Sequence, residues 1–209
     1  FVKPEWMMKP GFTLARWWAG VLDGKDGNDA IENAGDSLKA LVVIGNGITS
    51  TAQQAKVQEG LDGLELLVLM DPFVNDAGVI TNKKDGVYLI PAATQYETSG
   101  TVVATNRSGQ WRSQVCKPLY ESMPDHEVLF ELAKRIGFYD ELTRTIRDAD
   151  GKIEWPEAAT REIANIVKSI GLTGWTPERL KRHQDNWDKF DEKTLMGKEG
   201  TEVAGEYYG

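Results

Sequence analysis

Two short apolar runs, separated by a glycine turn and a helix-like stretch, constrain the fold more than any other feature of the sequence. Residues 38–44 and 64–70 are mostly apolar and of strand length, and the first run is followed by a Gly-Asn-Gly turn at residues 45–47. Continuous apolar runs suit strands that are covered on both faces, as parallel strands are. Because residues 51–61 between them have helical spacing, the sequence predicts a βαβ unit with a right-handed crossover.

The remaining pattern extends this unit into an α/β fold. Residues 87–90 form a third apolar run closed by a proline, which indicates a third strand. Residues 94–111 are expected to be an irregular, polar loop. Apolar spacing and terminal Pro or Gly residues predict helices over residues 13–22, 125–136, 156–170 and 176–188. We therefore predict a doubly wound, mostly parallel sheet with a helical extension towards the C-terminus.

Composition excludes several classes of function. With 32 acidic and 24 basic residues, the net charge is −8, so nucleic acid is not expected as a partner. No apolar stretch reaches the length of about 20 residues that a membrane span needs, so no direct membrane span is expected. The single cysteine, Cys116, rules out a cysteine-rich metal site within these residues. His126 and His183 have no second ligand at metal-binding spacing and are expected on helix surfaces.

Candidate ligand-binding residues follow the first two strands. Ligands of open parallel sheets bind beyond the carboxyl ends of the strands. Gly45 and Asn46 let backbone N–H groups approach a phosphate, Thr49 adds a hydroxyl, and Asp71 ends the second strand, where dinucleotide-binding folds keep an acidic residue. Ser50 stands where the glycine-rich fingerprint requires a third glycine. A tight turn and a helix-capping aspartate therefore stay open as the alternative.

The span of residues 91–112 is dense in polar side chains that alternate with apolar ones. Tyr96, Val102, Val103 and Trp111 interleave with threonine, serine, asparagine, glutamine and arginine residues. This interleaving indicates that the span enters the protein, where unpaired polar groups are costly. We therefore expect a polar ligand to supply partners to these groups.

The same span resembles a run found in molybdopterin oxidoreductases of the dimethyl sulfoxide reductase family, and especially in catalytic subunits of formate dehydrogenases. The resemblance covers nearly the whole chain. The matching motifs are Leu89-Ile90-Pro91-Ala92-Ala93-Thr94 with Glu97, Gly100 and Thr101, then Thr105-Asn106-Arg107-Ser108, Gln110-Trp111-Arg112, Pro124-Asp125-His126-Glu127, Leu69-Met70-Asp71-Pro72-Phe73, Thr173-Gly174-Trp175-Thr176-Pro177 and Gly205-Glu206-Tyr207-Tyr208-Gly209.

The resemblance implies an enzyme that oxidises formate to carbon dioxide, or runs the reverse, at a molybdenum or tungsten ion. Two molybdopterin guanine dinucleotides chelate the ion in that family, selenocysteine or cysteine completes the site, and a 4Fe–4S cluster held by an N-terminal cysteine motif carries electrons away. Neither the cluster motif nor the metal-binding chalcogen occurs here. The chain is therefore expected to be an internal fragment that is inactive alone, supplying cofactor contacts but no catalytic residue and no metal ligand.

The resemblance also assigns roles to individual residues. Asp71 matches an acidic residue that contacts the guanosine end of one cofactor, Asn75 a polar residue at the same nucleotide, and Asn106 an Asp or Asn that bonds the same cofactor. The phosphate side is expected to be lined by Gly45, Asn46 and Thr49. The implied domains are an aromatic-rich segment (residues 1–35) packing on parts outside the chain, a cofactor-cradling α/β domain (36–140), and a helical extension with a loop tail (141–209).

Further expectations concern binding partners, location and two alternative functions. The resemblance implies contact with the remainder of the same subunit, an iron–sulfur electron-transfer subunit and a periplasmic location. A nitrate- or thiosulfate-type reductase of the same group is the nearest alternative, and the residue ligating the metal distinguishes it. A non-catalytic nucleotide-binding module is the alternative from another class.

Overall fold

The computed structural model describes residues 12–22, 38–105, 108–166 and 172–209. These residues divide into two compact units. Unit 1 consists of Phe1–Thr94 and Pro118–Val128, and unit 2 of Gln95–Lys117 and Leu129–Gly209. Both units are discontinuous in sequence.

Unit 1 is built on a parallel sheet of three strands. The strands β1 (Ala40–Ile44), β2 (Leu66–Asp71) and β3 (Val87–Pro91) lie in the order β1-β2-β3, and both pairs are parallel. Helix α2 (Gln54–Gly63) connects β1 to β2, and the short helix α3 (Asp76–Ile80) lies between β2 and β3. The predicted βαβ unit, the third strand and the α/β class are therefore confirmed.

The core of unit 1 lies between one face of this sheet and the helices. Helix α1 (Trp17–Leu22) follows a 3-10 turn at Leu14–Arg16 and contributes Trp17 and Trp18 to the core. The two tryptophans thus pack inside this chain, unlike the expectation for residues 1–35. The other buried members of the core cluster are Ala19, Val21, Val43, Ile48, Val57, Leu61, Leu64, Leu67, Leu69 and Ala77.

Helices α1 and α2 touch closely because α2 has a glycine at the contact. A Cβ on Gly60 would stand 2.7 Å from the Trp18 Cβ. Beside this contact, Trp17 Nε1 donates to the Ile48 carbonyl over 3.0 Å. That bond anchors the loop after β1 to the helical layer, so the core itself positions the loop.

The opposite face of the sheet carries apolar side chains that are exposed in the described structure. Alternate strand residues point to this face. Val42 is 47% exposed, Leu66 36% and Tyr88 59%. Helices α1 to α3 contribute their buried residues to the core on the other face.

Unit 2 combines a two-stranded antiparallel ribbon with helices. Strands β4 (Gly100–Val103) and β5 (Gly109–Arg112) pair with each other, so the prediction of an irregular loop over residues 94–111 is wrong. Helix α4 (Asp125–Ile136) begins in unit 1 and ends in unit 2, with the bounds that the sequence predicts. The other helices of unit 2 are α5 (Tyr139–Thr143), α6 (Glu157–Ile166) and α7 (Pro177–Asp185).

Helix α7 anchors the C-terminal residues through a buried histidine. His183 is 1% exposed, so the expectation of a surface histidine is wrong. Its Nδ1 accepts from the Gly209 N–H over 3.1 Å, and its Nε2 lies 2.6 Å from Glu206 Oε2. Because Nδ1 accepts, Nε2 carries the proton and donates to the carboxylate. Burial lowers the pKa of His183, and Glu206 opposes that shift.

Candidate functional site

The carboxyl ends of the three strands meet at one edge of unit 1. Gly45, the first residue after β1, donates its N–H to the Met70 carbonyl over 2.9 Å. Ala92, directly after β3, donates to the carbonyl of Asp71 over 3.2 Å. The structure therefore brings Gly45 and Asp71 to the same edge, as the strand pattern predicts.

Asn75 ties the loops of this edge together. Its Nδ2 donates to the Asn46 carbonyl over 3.1 Å and to Asp71 Oδ2 over 3.3 Å. Its Oδ1 accepts from the Ala77 N–H over 3.0 Å and thereby caps α3. At 8% exposure, Asn75 has both amide hydrogens engaged within the protein. The Asn75 side chain therefore holds the Asn46 backbone and the Asp71 carboxylate in place.

Asp71 presents a partly satisfied carboxylate at the edge. Oδ1 accepts from the Phe73 N–H over 3.2 Å, and Oδ2 accepts from Asn75. Each carboxylate oxygen has two lone pairs, so within the described part of the chain one lone pair on each oxygen stays available. The carboxylate can therefore accept further N–H bonds from a ligand, and a ligand with two adjacent N–H donors matches its two oxygens as a guanidinium group does.

A cleft of about 180 Å³ adjoins this carboxylate. Apart from Asp71 and Asn75, the groups that line it are mostly apolar. They are Leu69, Pro72, Phe73, Val74, Leu89, Ile90 and Pro91. A few polar groups in an apolar cleft are typical of small-molecule sites, because the polar groups set the orientation of the ligand.

The loop after β1 offers open backbone beside this cleft's edge. Gly45 has φ +55°, and nothing lies within 4 Å of the position that its Cβ would occupy. Asn46 is exposed, whereas Thr49 is only 7% exposed. The Thr49 carbonyl accepts from Gln54 Nε2 over 2.7 Å. Gly45 and Asn46 can thus meet a ligand directly, while the side chain of Thr49 is largely covered.

One hydroxyl of the same loop lacks a partner. Thr51 Oγ1 is buried and has no hydrogen-bond partner among the residues that the structure describes. Helix α2 begins at Gln54, after a left-handed Gln53, three residues later than the sequence predicts. Residues 45–53 therefore form a longer loop than expected.

One residue that the sequence analysis did not assign to the site, Asp125 at the start of α4, lies near Asp71. Met123 bonds to the ends of β3, through its N–H to the Pro91 carbonyl and through its carbonyl to the Ala93 N–H. This pairing brings the start of α4 to the edge. Burial raises the pKa of Asp125, and the carboxylate of Asp71 adds to the rise. Burial lowers the pKa of His126 to about 4. The Pro-Asp-His-Glu motif was visible, but nothing in the sequence placed it beside β3.

The polar span in unit 2 bonds mainly to protein groups. Arg112 Nη2 donates to Thr98 Oγ1 over 2.8 Å, and the Gln114 N–H donates to Ser99 Oγ over 2.9 Å. Thr101 Oγ1 lies 3.0 Å from Thr160 Oγ1. The expectation that a ligand satisfies these groups is therefore wrong for these side chains. Asn106 lies outside the described residues.

Neither a metal centre nor a membrane-spanning helix is found among the described residues. In residues 12–22, 38–105, 108–166 and 172–209, no group of three or more His, Cys, Asp or Glu side chains could hold a metal ion. Cys116 is an exposed free thiol. Within the same ranges, no helix combines the length and the apolar character of a membrane span.

Comparison with known proteins identifies a family for this chain. The family model of molybdopterin oxidoreductases matches residues 19–135. The chain is 26% identical over 167 residues to the F420-dependent formate dehydrogenase subunit alpha of Methanocaldococcus jannaschii, covering 78% of this chain and 22% of that protein. It is 27% identical over 176 residues to the NADPH-Fe(3+) oxidoreductase subunit alpha of Geobacter sulfurreducens, covering 79% of this chain and 19% of that protein.

A solved structure extends the likeness to the fold. Acetylene hydratase from Pelobacter acetylenicus superposes with a TM-score of 0.51 at 19% identity, over 80% of this chain and 19% of that one. The chain thus spans about a fifth of the length of the proteins it matches. Since the family model covers more than half of the chain, including all three parallel strands and the candidate edge, the chain belongs to the molybdopterin oxidoreductase family.

Proposed function

We propose that the carboxyl edge of unit 1 binds the guanosine end of a molybdopterin guanine dinucleotide. The observation that carries the proposal is the Asp71 carboxylate, with a lone pair available on each oxygen at the mouth of an apolar cleft. Guanine presents two adjacent N–H donors on its Watson–Crick edge, which match such a carboxylate. Hydrogen bonds to a charged acceptor contribute roughly 1.5–3 kcal/mol each.

The same geometry favours guanine over adenine. Adenine places an acceptor nitrogen beside its amino group, so one carboxylate oxygen of Asp71 would face a lone pair instead of an N–H. A site built to bond a donor rejects an analogue that lacks it, because its own polar group is then left unpaired. Asp71 would thus select the base as well as hold it.

The neighbouring loop fits the phosphate side of the same ligand. Gly45 has open space where a side chain would stand, and Thr51 Oγ1 is a donor without a partner in the described structure. The phosphates would be lined by Gly45 and Asn46, with Thr49 behind them. Asn75 would hold the Asp71 carboxylate in position. The proposal keeps Asn106 as a further contact to the same cofactor. When bound, the cofactor supplies redox chemistry at molybdenum or tungsten, and the residues of this chain bind and orient it.

For the whole protein, we propose the catalytic subunit of a formate dehydrogenase that converts formate to carbon dioxide or the reverse. The relative named formate dehydrogenase subunit alpha supports this substrate. The metal ligand and a 4Fe–4S cluster would come from outside these residues, a separate iron–sulfur subunit would accept electrons, and the compartment would be the periplasm.

A second candidate is a molybdopterin oxidoreductase that acts on another substrate. It is favoured by the similar identity to the NADPH-Fe(3+) oxidoreductase subunit alpha. Assay of the complete subunit with formate and a dye acceptor separates the two candidates, since only the first predicts formate-dependent reduction. The isolated 209-residue chain should show no turnover in that assay.

The binding proposal is tested by Asp71→Asn in the complete subunit. We expect less guanine nucleotide to be released on denaturation, with a parallel loss of molybdenum or tungsten in elemental analysis. Asparagine is nearly isosteric but replaces one acceptor oxygen by a donor. Asp76→Asn is the matched control, since Asp76 is exposed on α3 and does not line the cleft. Equal nucleotide content in Asp71→Asn and wild type would remove Asp71 from the site.

A further inference from the structure

Phe73 is a large aromatic side chain that the described structure leaves open at the binding edge. It is 81% exposed, and the neighbouring Val74 is 70% exposed. Both residues line the cleft that also contains Asp71. Adjacent exposed apolar side chains beside convergent polar groups mark a binding surface more often than a bare solvent face.

The backbone of Phe73 is held against the same carboxylate that the proposed nucleotide would use. The Phe73 N–H donates to Asp71 Oδ1 over 3.2 Å, and the preceding Pro72 has a fixed φ. The Phe73 backbone is therefore restrained, although its ring is exposed. Another part of the cleft is lined by Leu89 and Ile90, which both belong to β3.

The cleft thus combines an acceptor pair with an aromatic side chain and aliphatic groups. A flat heteroaromatic ring with N–H donors along one edge satisfies both features, whereas an aliphatic ligand offers no ring face to the aromatic side chain. Stacking on an aromatic side chain tolerates any base, because every base has a π-face. Base identity must then come from Asp71, and Phe73 can add affinity without selecting the base.

We propose that the ring of Phe73 stacks on the purine base that Asp71 bonds, which makes Phe73 a positioning residue for the nucleotide. This inference rests on the proposed nucleotide function of the edge. Stacking holds the ring plane, and the carboxylate then fixes the rotation of the base within that plane. Phe73 replaced by another aromatic residue should still bind, whereas an aliphatic residue should not replace it fully.

The test is titration of the 209-residue chain with guanosine monophosphate, followed by NMR. For Phe73→Leu we expect affinity lower by about tenfold, the order of effect that loss of base–aromatic stacking has. Phe73→Trp should bind at least as tightly as wild type. In wild type, the ring protons of Phe73 should shift upfield as the nucleotide is added, because they come to lie over the base.

Tyr88→Leu is the matched control, since Tyr88 is also an exposed aromatic of unit 1 but does not line the cleft. Loss of affinity in Asp71→Asn, with unchanged affinity in Phe73→Leu, overturns the stacking role and leaves the proposed function standing. Equal losses in Phe73→Leu and Tyr88→Leu also overturn it. Absence of any guanosine monophosphate binding to wild type overturns both proposals.

Discussion

At the scale of single residues, Asp71 owes its position to two donors from its own loop. The Phe73 N–H binds one carboxylate oxygen and the Asn75 amide binds the other. Asn75 also bonds the Asn46 carbonyl and caps α3. One side chain therefore joins the ends of β1 and β2, so its loss should affect both the stability of unit 1 and the geometry of the carboxylate.

Substitution of Asn75 separates these two effects. Asn75→Ala should lower the free energy of unfolding by about 1–2 kcal/mol, because the cap of α3 is lost together with the bonds to the neighbouring loops. Asn75→Ser keeps an oxygen that can cap the helix but is too short to reach Asn46. We expect Asn75→Ser to recover part of the stability without recovering guanosine monophosphate affinity. Urea unfolding and nucleotide titration measure the two quantities, and full recovery of both would contradict the bridging role.

His126 gives a prediction that depends on pH. Burial lowers its pKa to about 4 from the ordinary 6.5, so the unfolded chain takes up this proton more readily than the folded chain. The stability that neutral His126 contributes is therefore present above pH 6.5 and is lost as the pH falls from 6.5 towards 4. His126→Gln should lose less stability over that window than wild type. An NMR titration of the His126 ring with its midpoint near 6.5 would contradict the prediction.

The sequence predicted which strand-end residues share one edge of the sheet better than it predicted the side-chain network around them. Asp71 and Gly45 could be found because strand ends share one edge of a parallel sheet. The two hydrogen bonds that the Asn75 amide donates could not be predicted, since they depend on the fold of two loops that are distant in sequence. The nearness of Asp125 to Asp71 was missed for the same reason: the pairing of Met123 with β3 is a long-range contact without a local pattern.

At the scale of elements, the contact of α1 with α2 depends on Gly60. Gly60→Ala would place a methyl group 2.7 Å from the Trp18 Cβ, so the helices must move apart. Overpacking of a core typically costs 1–3 kcal/mol, which exceeds the gain in helix propensity of about 1 kcal/mol. We therefore expect a lower midpoint in thermal unfolding.

The control for this substitution is Glu59→Ala on the exposed side of α2. Glu59 pairs with Lys56 over 2.8 Å, with both side chains about half exposed. Such surface pairs contribute little, so the unfolding midpoint should stay close to that of wild type. A Gly60→Ala variant as stable as Glu59→Ala would show that the helices adapt without cost.

Element prediction succeeded where the pattern was long or continuous and failed where it was short. Helix α4 has a periodic apolar face over twelve residues, and its ends matched the prediction. Strands β4 and β5 have four residues each, and a glycine occupies one end of both. Gly109 and Trp111 of β5 are buried, and two alternate buried positions are too short a pattern to distinguish from a loop in the sequence alone.

At the scale of the whole molecule, the exposed apolar face of the sheet should govern solubility. Val42, Leu66 and Tyr88 share this face. Large exposed apolar patches promote association. Val42→Lys should lower the light scattering of concentrated chain without lowering the thermal midpoint, whereas Val79→Lys on α3, where the side chain is 67% exposed, should change neither. Scattering that is equal in all three proteins would contradict this role of the face.

The interleaving of the two units has a consequence for synthesis on the ribosome. Unit 1 is completed by Pro118–Val128, whose Met123 bonds the end of β3, yet Gln95–Lys117 of unit 2 emerges first. A nascent chain that stops at Thr94 has all three parallel strands of the described sheet. It lacks Met123, which bonds the residues at the carboxyl end of β3. Neither unit can be cut out as one continuous peptide, so a gene split at residue 94 would yield two incomplete halves.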